Sequence, residues 1–340
     1  MRCETEKGAG EHMATDIASA KAAGHFADRG KEAQQGRDTR RKRAREGTLA
    51  ARLRASVPSY LLIAPFMVFF IVFVVAPVAA SIGLSFTDFN MLQTPNWVGL
   101  ENYKTLLLSD DIFKMAVKNT IIFAFVTGPL SYLACFFFAW LINELPSKLR
   151  AVMMLIFYAP SITASTYTIW KYILSGDRYG MLNSLLIRLG IVSDPIYWLT
   201  DPKYMMGACI VVQLWLSLGT SFLAFMAGLK NVDATLYEAA AVDGIKNRFQ
   251  EVWHITLPSM KPQLLFGAVM QISQSFAVGA VPMSLNGFPS TDYATHTIIN
   301  HVYDYGTVRY ELGYACAISS VLLIAMLVTN KIINKLLRED

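Results

Sequence analysis

LYEAAAVDGIKNRFQEVWHITLPSMKP, Leu236 to Pro262, is a charged, proline-bounded segment set between two long apolar stretches. Its local signals describe two short helices. Asn231 or Asp233 can cap the first, and Thr235 with Glu238 has the spacing of a capping box. Leu236, Ala239, Ala240 and Val242 then form a narrow face of small apolar groups that suits close docking into a groove. Gly244 ends this helix, because glycine readily takes the left-handed conformation that closes a helix terminus. Asn247 with Gln250 reads as a second cap, followed by Phe249, Val252 and Trp253 at helical spacing. Pro258 and Pro262 are expected to stop the second helix and turn the chain into the next apolar stretch. On these signals the segment is either an ordinary hairpin connector or a docking element.

The surroundings are those of a membrane protein. Of 340 residues, 54% are hydrophobic and 16% charged, a balance far from that of a soluble enzyme. A span needs roughly 20 apolar residues to cross about 30 Å of hydrocarbon. Stretches of that kind run over about 59–86, 120–142, 151–170, 204–229, 264–285 and 313–333. The fold class expected is therefore an all-α membrane protein of six transmembrane helices, with the quoted loop between spans four and five. Pro65 and Pro77 predict a kink or tilt in the first span. Ser161, Thr163, Ser165 and Thr166 in the third have more use beside a hydrated path than against lipid.

Basic residues set the orientation. RDTRRKRAR (Arg37 to Arg45), Arg52 and Arg54 precede the first span, and Lys331, Lys335 and Arg338 close the chain. Both termini are thus expected in the cytoplasm, together with Lys148, Arg150 and the quoted loop. Residues 1–55 read as a disordered basic tail that sets topology and touches anionic lipid, and 56–340 as the membrane domain. No aromatic interleaving accompanies the basic run, so nucleic acid is not an expected partner. The first apolar run begins too late and is too long for a cleavable signal peptide. Cys3, Cys135, Cys209 and Cys316 lack metal-ligand spacing. His296 and His301, five apart on an outward loop, also lack it and read as surface or interface histidines, so no metal site is expected.

Glu238, Ala239, Ala240 and Gly244, followed by Ile255, Leu257 and Pro258, resemble the cytoplasmic loop signature of the inner-membrane permease subunits of binding-protein-dependent ABC importers. WVGLENY (Trp97 to Tyr103), KNTIIF (Lys118 to Phe123), AGLKNVDATLYEAA (Ala227 to Ala240), YGMLNSLL (Tyr179 to Leu186) and GYACA (Gly313 to Ala317) resemble further pieces of its carbohydrate-uptake branch. The likeness covers roughly residues 55–340. It departs in one extra residue between Gly244 and Ile255, and in Val232-Asp233 where Ile-Pro is common.

The resemblance implies a bacterial cytoplasmic-membrane protein with no enzymatic activity, forming half of a carbohydrate pathway. Its implied partners are a homologous second permease, ATP-binding cassette ATPase subunits and an extracellular solute-binding protein. The 231–262 loop, through Tyr237, Glu238, Ala239, Ala240, Asp243, Gly244, Ile255, Leu257 and Pro258, would couple to the ATPase. No G-x-x-x-x-G-K-[ST] loop is present, so the chain needs no cofactor of its own and ATP belongs to the partner. Gln271, Ser273, Gln274 and Ser275 in span five are the candidate substrate path, with helix packing as the alternative. A membrane sensor or assembly protein that docks a cytosolic partner without transport is the competing function. A self-contained secondary transporter fits less well, because the spans bury no ionisable pairs near the midplane.

Overall fold

The computed structural model describes residues 49–163 and 166–338. It divides at Ala76 into two compact units. The first holds helix α1, Leu49–Phe70, followed by a π-helical turn, Ile71–Val75. Phe66 stacks on Phe70 and Phe69 on Phe73, one turn apart. The π turn lies just ahead of Pro77, which has no N–H to give, and the Ala76 N–H bonds to the Ile71 carbonyl instead. Most of the expected tail lies outside the described residues, whereas 49–55 are already helical.

From Ala76 the chain runs through α2 (Ala76–Leu84), α3 (Asp111–Asn143), α4 (Ser147–Ile162), α5 (Thr166–Ile173), α6 (Pro202–Leu216) and α7 (Thr220–Asn231). Then come α8 (Ala234–Val242), α9 (Lys261–Phe276), α10 (Ala280–Asn286), α11 (Ile298–Tyr303) and α12 (Leu312–Arg338). Four stretches, Tyr60–Leu84, Asp111–Asn143, Pro202–Asn231 and Leu312–Lys335, are long and apolar enough to cross a membrane. The pairs α4 with α5 and α9 with α10 bring the number to six if each bent pair is one span. The six windows read from the sequence thus coincide with helical elements, and the breaks within them were not expected.

The breaks follow from composition and are satisfied internally, as backbone at membrane depth requires. Span four steps irregularly through Ser217–Gly219, where the Ser217 carbonyl accepts from Gln271 Nε2 at 3.2 Å and from the Cys135 thiol at 3.6 Å. α10 departs from α9 by 42°. The carbonyls freed there, Val278 and Gly279, accept from Thr297 Oγ1 at 2.7 Å and Asn300 Nδ2 at 3.1 Å. After α4, the Thr166 hydroxyl donates to the Thr163 carbonyl at 2.7 Å.

Helices α3, α7 and α9 pack on one another and α12 packs on α9. Small residues allow it: Gly128 faces Ser275, Gly228 faces Met260 and Gly267 lies under the ring of Phe225. Phe225 in turn meets Tyr132 and Phe136 edge-on. With 33 residues, α3 is about 50 Å long at 1.5 Å per residue, longer than a hydrocarbon layer of about 30 Å. Pro129 lies near its middle.

Two expectations are corrected. His296 and His301 are not surface histidines: they are 2% and 0% exposed, under the loop that joins α10 to α12. Asp110, far away in sequence, supplies the polar partner that makes this burial tolerable. Nor does Pro262 stop the second loop helix: it stands in the first turn of α9, where a missing N–H forfeits no helical bond, whereas Pro258 follows the π turn Val252–Thr256 and the helical run ends beside it at Ser259.

Candidate functional site

The 231–262 loop is built at the Glu144 end of α3. α8 starts at Asp233, whose carboxylate accepts the Thr235 N–H at 3.0 Å. That bond holds the Asp233 carboxyl below its ordinary range. Thr235 and Glu238 form no capping box; Asp233 already occupies the capping position. At the other end Gly244 has φ +94°, and the Ile245 N–H reaches back to the Ala240 carbonyl at 3.0 Å. This six-to-one closure is what a left-handed glycine permits.

After Gly244 the chain is helical over Arg248–Glu251, passes a π turn at Val252–Thr256 and reaches α9 through Leu257–Ser259. Asn247 caps without a side-chain bond, and Gln250 accepts from the Lys246 N–H at 3.2 Å. Arg248 lies between two carboxylates, Glu251 at 2.7 Å and Glu144 at 3.6 Å, which push its pKa up. The Tyr237 and Thr256 hydroxyls meet at 2.9 Å, and the Trp140 and Phe249 rings lie 5.7 Å apart. A small cavity of about 120 Å³ lies among Trp140, Glu144, Tyr237, Arg248 and Thr256. The loop is therefore fastened to α3 at several points.

The signature residues divide by direction. Ala240 and Ile255 are buried and Tyr237 and Leu257 half-buried, so they hold the loop to the bundle. Glu238, Ala239, Asp243, Gly244 and Pro258 are exposed. Beside them Val242, Phe249 and Trp253 are 88%, 76% and 71% exposed, an apolar surface on a rigidly braced loop. Sequence periodicity puts Phe249 and Trp253 on a helix face; what it does not show is that this face stays largely bare even though Phe249 touches Trp140 of α3.

The span-five residues also separate. Gln271 donates to Ser217 and to the Cys135 sulfur, and the Ser275 hydroxyl donates to Ile272 at 2.9 Å, so both serve the chain's own helices. They border a mostly apolar groove of about 570 Å³ with Gly128, Tyr132 and Phe276. Ser273 and Gln274 are half-buried, with the Ser273 hydroxyl turned onto the Val269 carbonyl.

At the far end of α3 lies a polar cluster that sequence reading missed. Asp110 caps α3 through the Phe113 N–H at 2.8 Å, and its other oxygen accepts from His301 Nε2 at 3.0 Å and from the Tyr314 hydroxyl at 2.8 Å. His296 Nε2 and His301 Nδ1 are 3.2 Å apart. Burial opposes charge on Asp110, but the Phe113 N–H, Tyr314 and His301 outweigh it and keep the carboxyl below its usual range. Burial, reinforced by His301, pushes His296 down to about 4. His301 is lowered by burial as well, against the pull of Asp110. Only Asp110 carried a local signal, as the residue before a helical run.

Helical spans, broken in places and packed through small residues, and a braced loop presenting the signature residues are, among the described residues, the build of a membrane permease subunit. Residues 52–338 match the family described as binding-protein-dependent transport system inner membrane component, and the chain belongs to it. It is 31% identical, over 79% of its length and 86% of the relative's, to the probable ABC transporter permease protein YesP of Bacillus subtilis (strain 168). It is 30% identical, over 82% of its length and 87% of the relative's, to the arabinooligosaccharides transport system permease protein AraP of the same organism. Among solved structures, a bacterial ABC transporter involved in import of the acidic polysaccharide alginate superposes with a TM-score of 0.69 at 25% identity, covering 86% of this chain and 98% of that one.

Proposed function

We propose that the chain is one half of the translocation pathway of an ATP-driven carbohydrate importer, with both termini and the 231–262 loop in the cytoplasm. It pairs with a homologous permease, receives solute from an extracellular binding protein and is driven by ATPase subunits docked on the loop. The observation that carries this reading is the loop itself: α8 is closed by Gly244 at φ +94°, and Glu238 is exposed beside a bare Val242. Carbohydrate follows from the relatives, of which one is an arabinooligosaccharide permease and a structural neighbour imports alginate.

Energetics favour apolar docking. Moving a gate from 1:99 to 99:1 takes about 5.5 kcal/mol, whereas an exposed ion pair supplies at most about 1 kcal/mol. Val242, Phe249 and Trp253 offer the surface that an ion pair at Glu238 alone would lack. In the alternating-access cycle, closure of the ATPase pair moves the loop, and its fastenings to Trp140 and Glu144 carry that motion into α3. Ser273 and Gln274 are the side chains of the proposed path that the bundle itself leaves half-buried.

The test is reconstitution in proteoliposomes with the second permease, the ATPase and the binding protein, the latter first screened for the oligosaccharides it holds. ATP-dependent, binding-protein-dependent uptake that disappears when this chain is omitted is the expected result. Co-purification of the ATPase without any uptake would instead support a docking protein that does not transport.

A further inference from the structure

The short helix α11 works in two directions. Its N-terminal box, Thr297 with Asn300, reaches the carbonyls of Val278 and Gly279 at the break in span five. One residue later, His301 reaches Asp110 at the head of α3. The same segment is tied to α3 again through Asn119, which donates to the Tyr293 and His296 carbonyls, and through Thr120, which accepts the Ile298 N–H. Tyr314 brings in α12 by donating to the same Asp110 oxygen. Three spans therefore meet on one six-residue helix.

Donor order in the cluster follows from the acceptor at its end. An ionised Asp110 only accepts, so His301 Nε2 carries a hydrogen and, in the neutral ring, Nδ1 does not. His296 Nε2 then donates to that Nδ1 across 3.2 Å. A first proton on His301 leaves the chain of bonds intact if His296 changes tautomer, since His301 then donates from both nitrogens. A second proton does not. It would set two N–H groups against each other in a pocket closed by Phe113, Tyr293, Tyr305 and Phe288. The other charged groups acting on the pair are Asp304 and Arg309, which lie 2.8 Å apart in their own ion pair.

We propose that the Asp110–His301–His296 chain is a positioning device for span five: it seats α11 over the break at Ala277–Gly279, and it lets go when both imidazoles are protonated. Acidification of the face that carries this loop would then unseat Thr297 and Asn300, free the Val278 and Gly279 carbonyls and loosen α10 against α9. The inference rests on the transporter reading only in what the bend is for. The bend itself is measured below without substrate or ATP, so its failure is distinct from failure of uptake.

The experiment uses the full chain in lipid nanodiscs, with Cys3→Ser and Cys316→Ser and a nitroxide on Ala280→Cys, an exposed position just past the break; Cys135 and Cys209 are buried. The label is attached near neutrality and its mobility followed as pH is lowered from about 7.5 to about 3, past the value of about 4 to which burial pushes His296. An acid transition toward a mobile label is expected in the parent. Glutamine can donate to Asp110 and accept from His296 without titrating, so His301→Gln should keep the label immobile throughout. His296→Gln should do the same and serves if the first variant folds poorly. Asp304→Asn removes a charge that favours both imidazolium forms and leaves Arg309 unpaired, so the transition should remain but move to lower pH, and Thr297→Val should mobilise the label at every pH. No transition in the parent, the same transition in either glutamine variant, or a transition moved to higher pH in Asp304→Asn would overturn the proposal.

Discussion

Replacing Gly244 isolates backbone conformation from packing. Its φ is +94°, and a β-carbon built there meets nothing within 4 Å, so no neighbour contributes to the cost. What remains is the intrinsic penalty of an L-residue in left-handed space, about 1 kcal/mol for alanine, or roughly fivefold against the closed helix end. Asparagine visits this region more readily and should cost a few tenths of a kcal/mol. Valine, stiff at its β-carbon, should cost about 2 kcal/mol, roughly thirtyfold. Opening the end loses the Ile245 to Ala240 bond and with it the setting of Val242 and Asp243. The assay is the fraction of ATPase that co-purifies with each variant at equal membrane abundance, expected to fall in the order Gly, Asn, Ala, Val. An order that follows side-chain size, with alanine milder than asparagine, or full docking by Gly244→Val, would refute the reasoning.

Three further outcomes are expected. Gly267→Ala pushes a methyl into the ring of Phe225 and should cost about 1–3 kcal/mol as overpacking, read as a lower thermal midpoint in detergent and relieved by Phe225→Leu; an unchanged midpoint would contradict the packing. Single cysteines at the exposed positions Lys246 and Thr291 should differ in intact cells, with only Thr291→Cys reacting with an impermeant thiol reagent, and labelling of Lys246→Cys would invert the topology. His296 is held neutral by the fold, so between about 4 and 6.5 the unfolded chain binds more protons than the folded one. The His296 contribution should therefore be complete above 6.5 and be lost as pH drops toward 4, an effect on the order of a few kcal/mol, with a shallower slope for His296→Gln in unfolding midpoints against pH.

How far the sequence could be read depends on how local each feature is. The membrane spans rest on runs of apolar residues, and the first loop helix rests on Asp233 and Gly244, a few residues apart; both are legible because their causes are adjacent in the chain. The step at Ser217–Gly219 is tolerated because Gln271, 54 positions away, meets the freed carbonyl, and no window of sequence joins the two. His296 and His301 show the same limit more sharply. An outward loop with two histidines reads as wet until Asp110, 191 positions earlier, is known to stand beside it. Gln271 and Ser275 stand in the sequence as bare polar residues, and nothing local to them shows their bonds to Ser217, to the Cys135 sulfur and to the Ile272 carbonyl. Pro262 reads as a stop from its residue type alone, whereas its place in the first turn of α9, where an N–H has no helical partner, depends on where the chain turns at Met260.

Helix α3 carries the loop fastening at Glu144 and the Asp110 cluster at opposite tips, but it is not one uniform beam. Pro129 gives no N–H to the fourth carbonyl back, and Gly128 beside it has no side chain to stiffen the turn, so compliance is concentrated near mid-length. A torque applied at the Glu144 tip is thus partly absorbed as flexure at Gly128–Pro129 before it reaches Asp110. Gly128 and Pro129 line the groove bordered by Tyr132 and Gln271, on the side where Gly128 faces Ser275. A bend at Gly128–Pro129 driven from either tip would therefore reshape this groove.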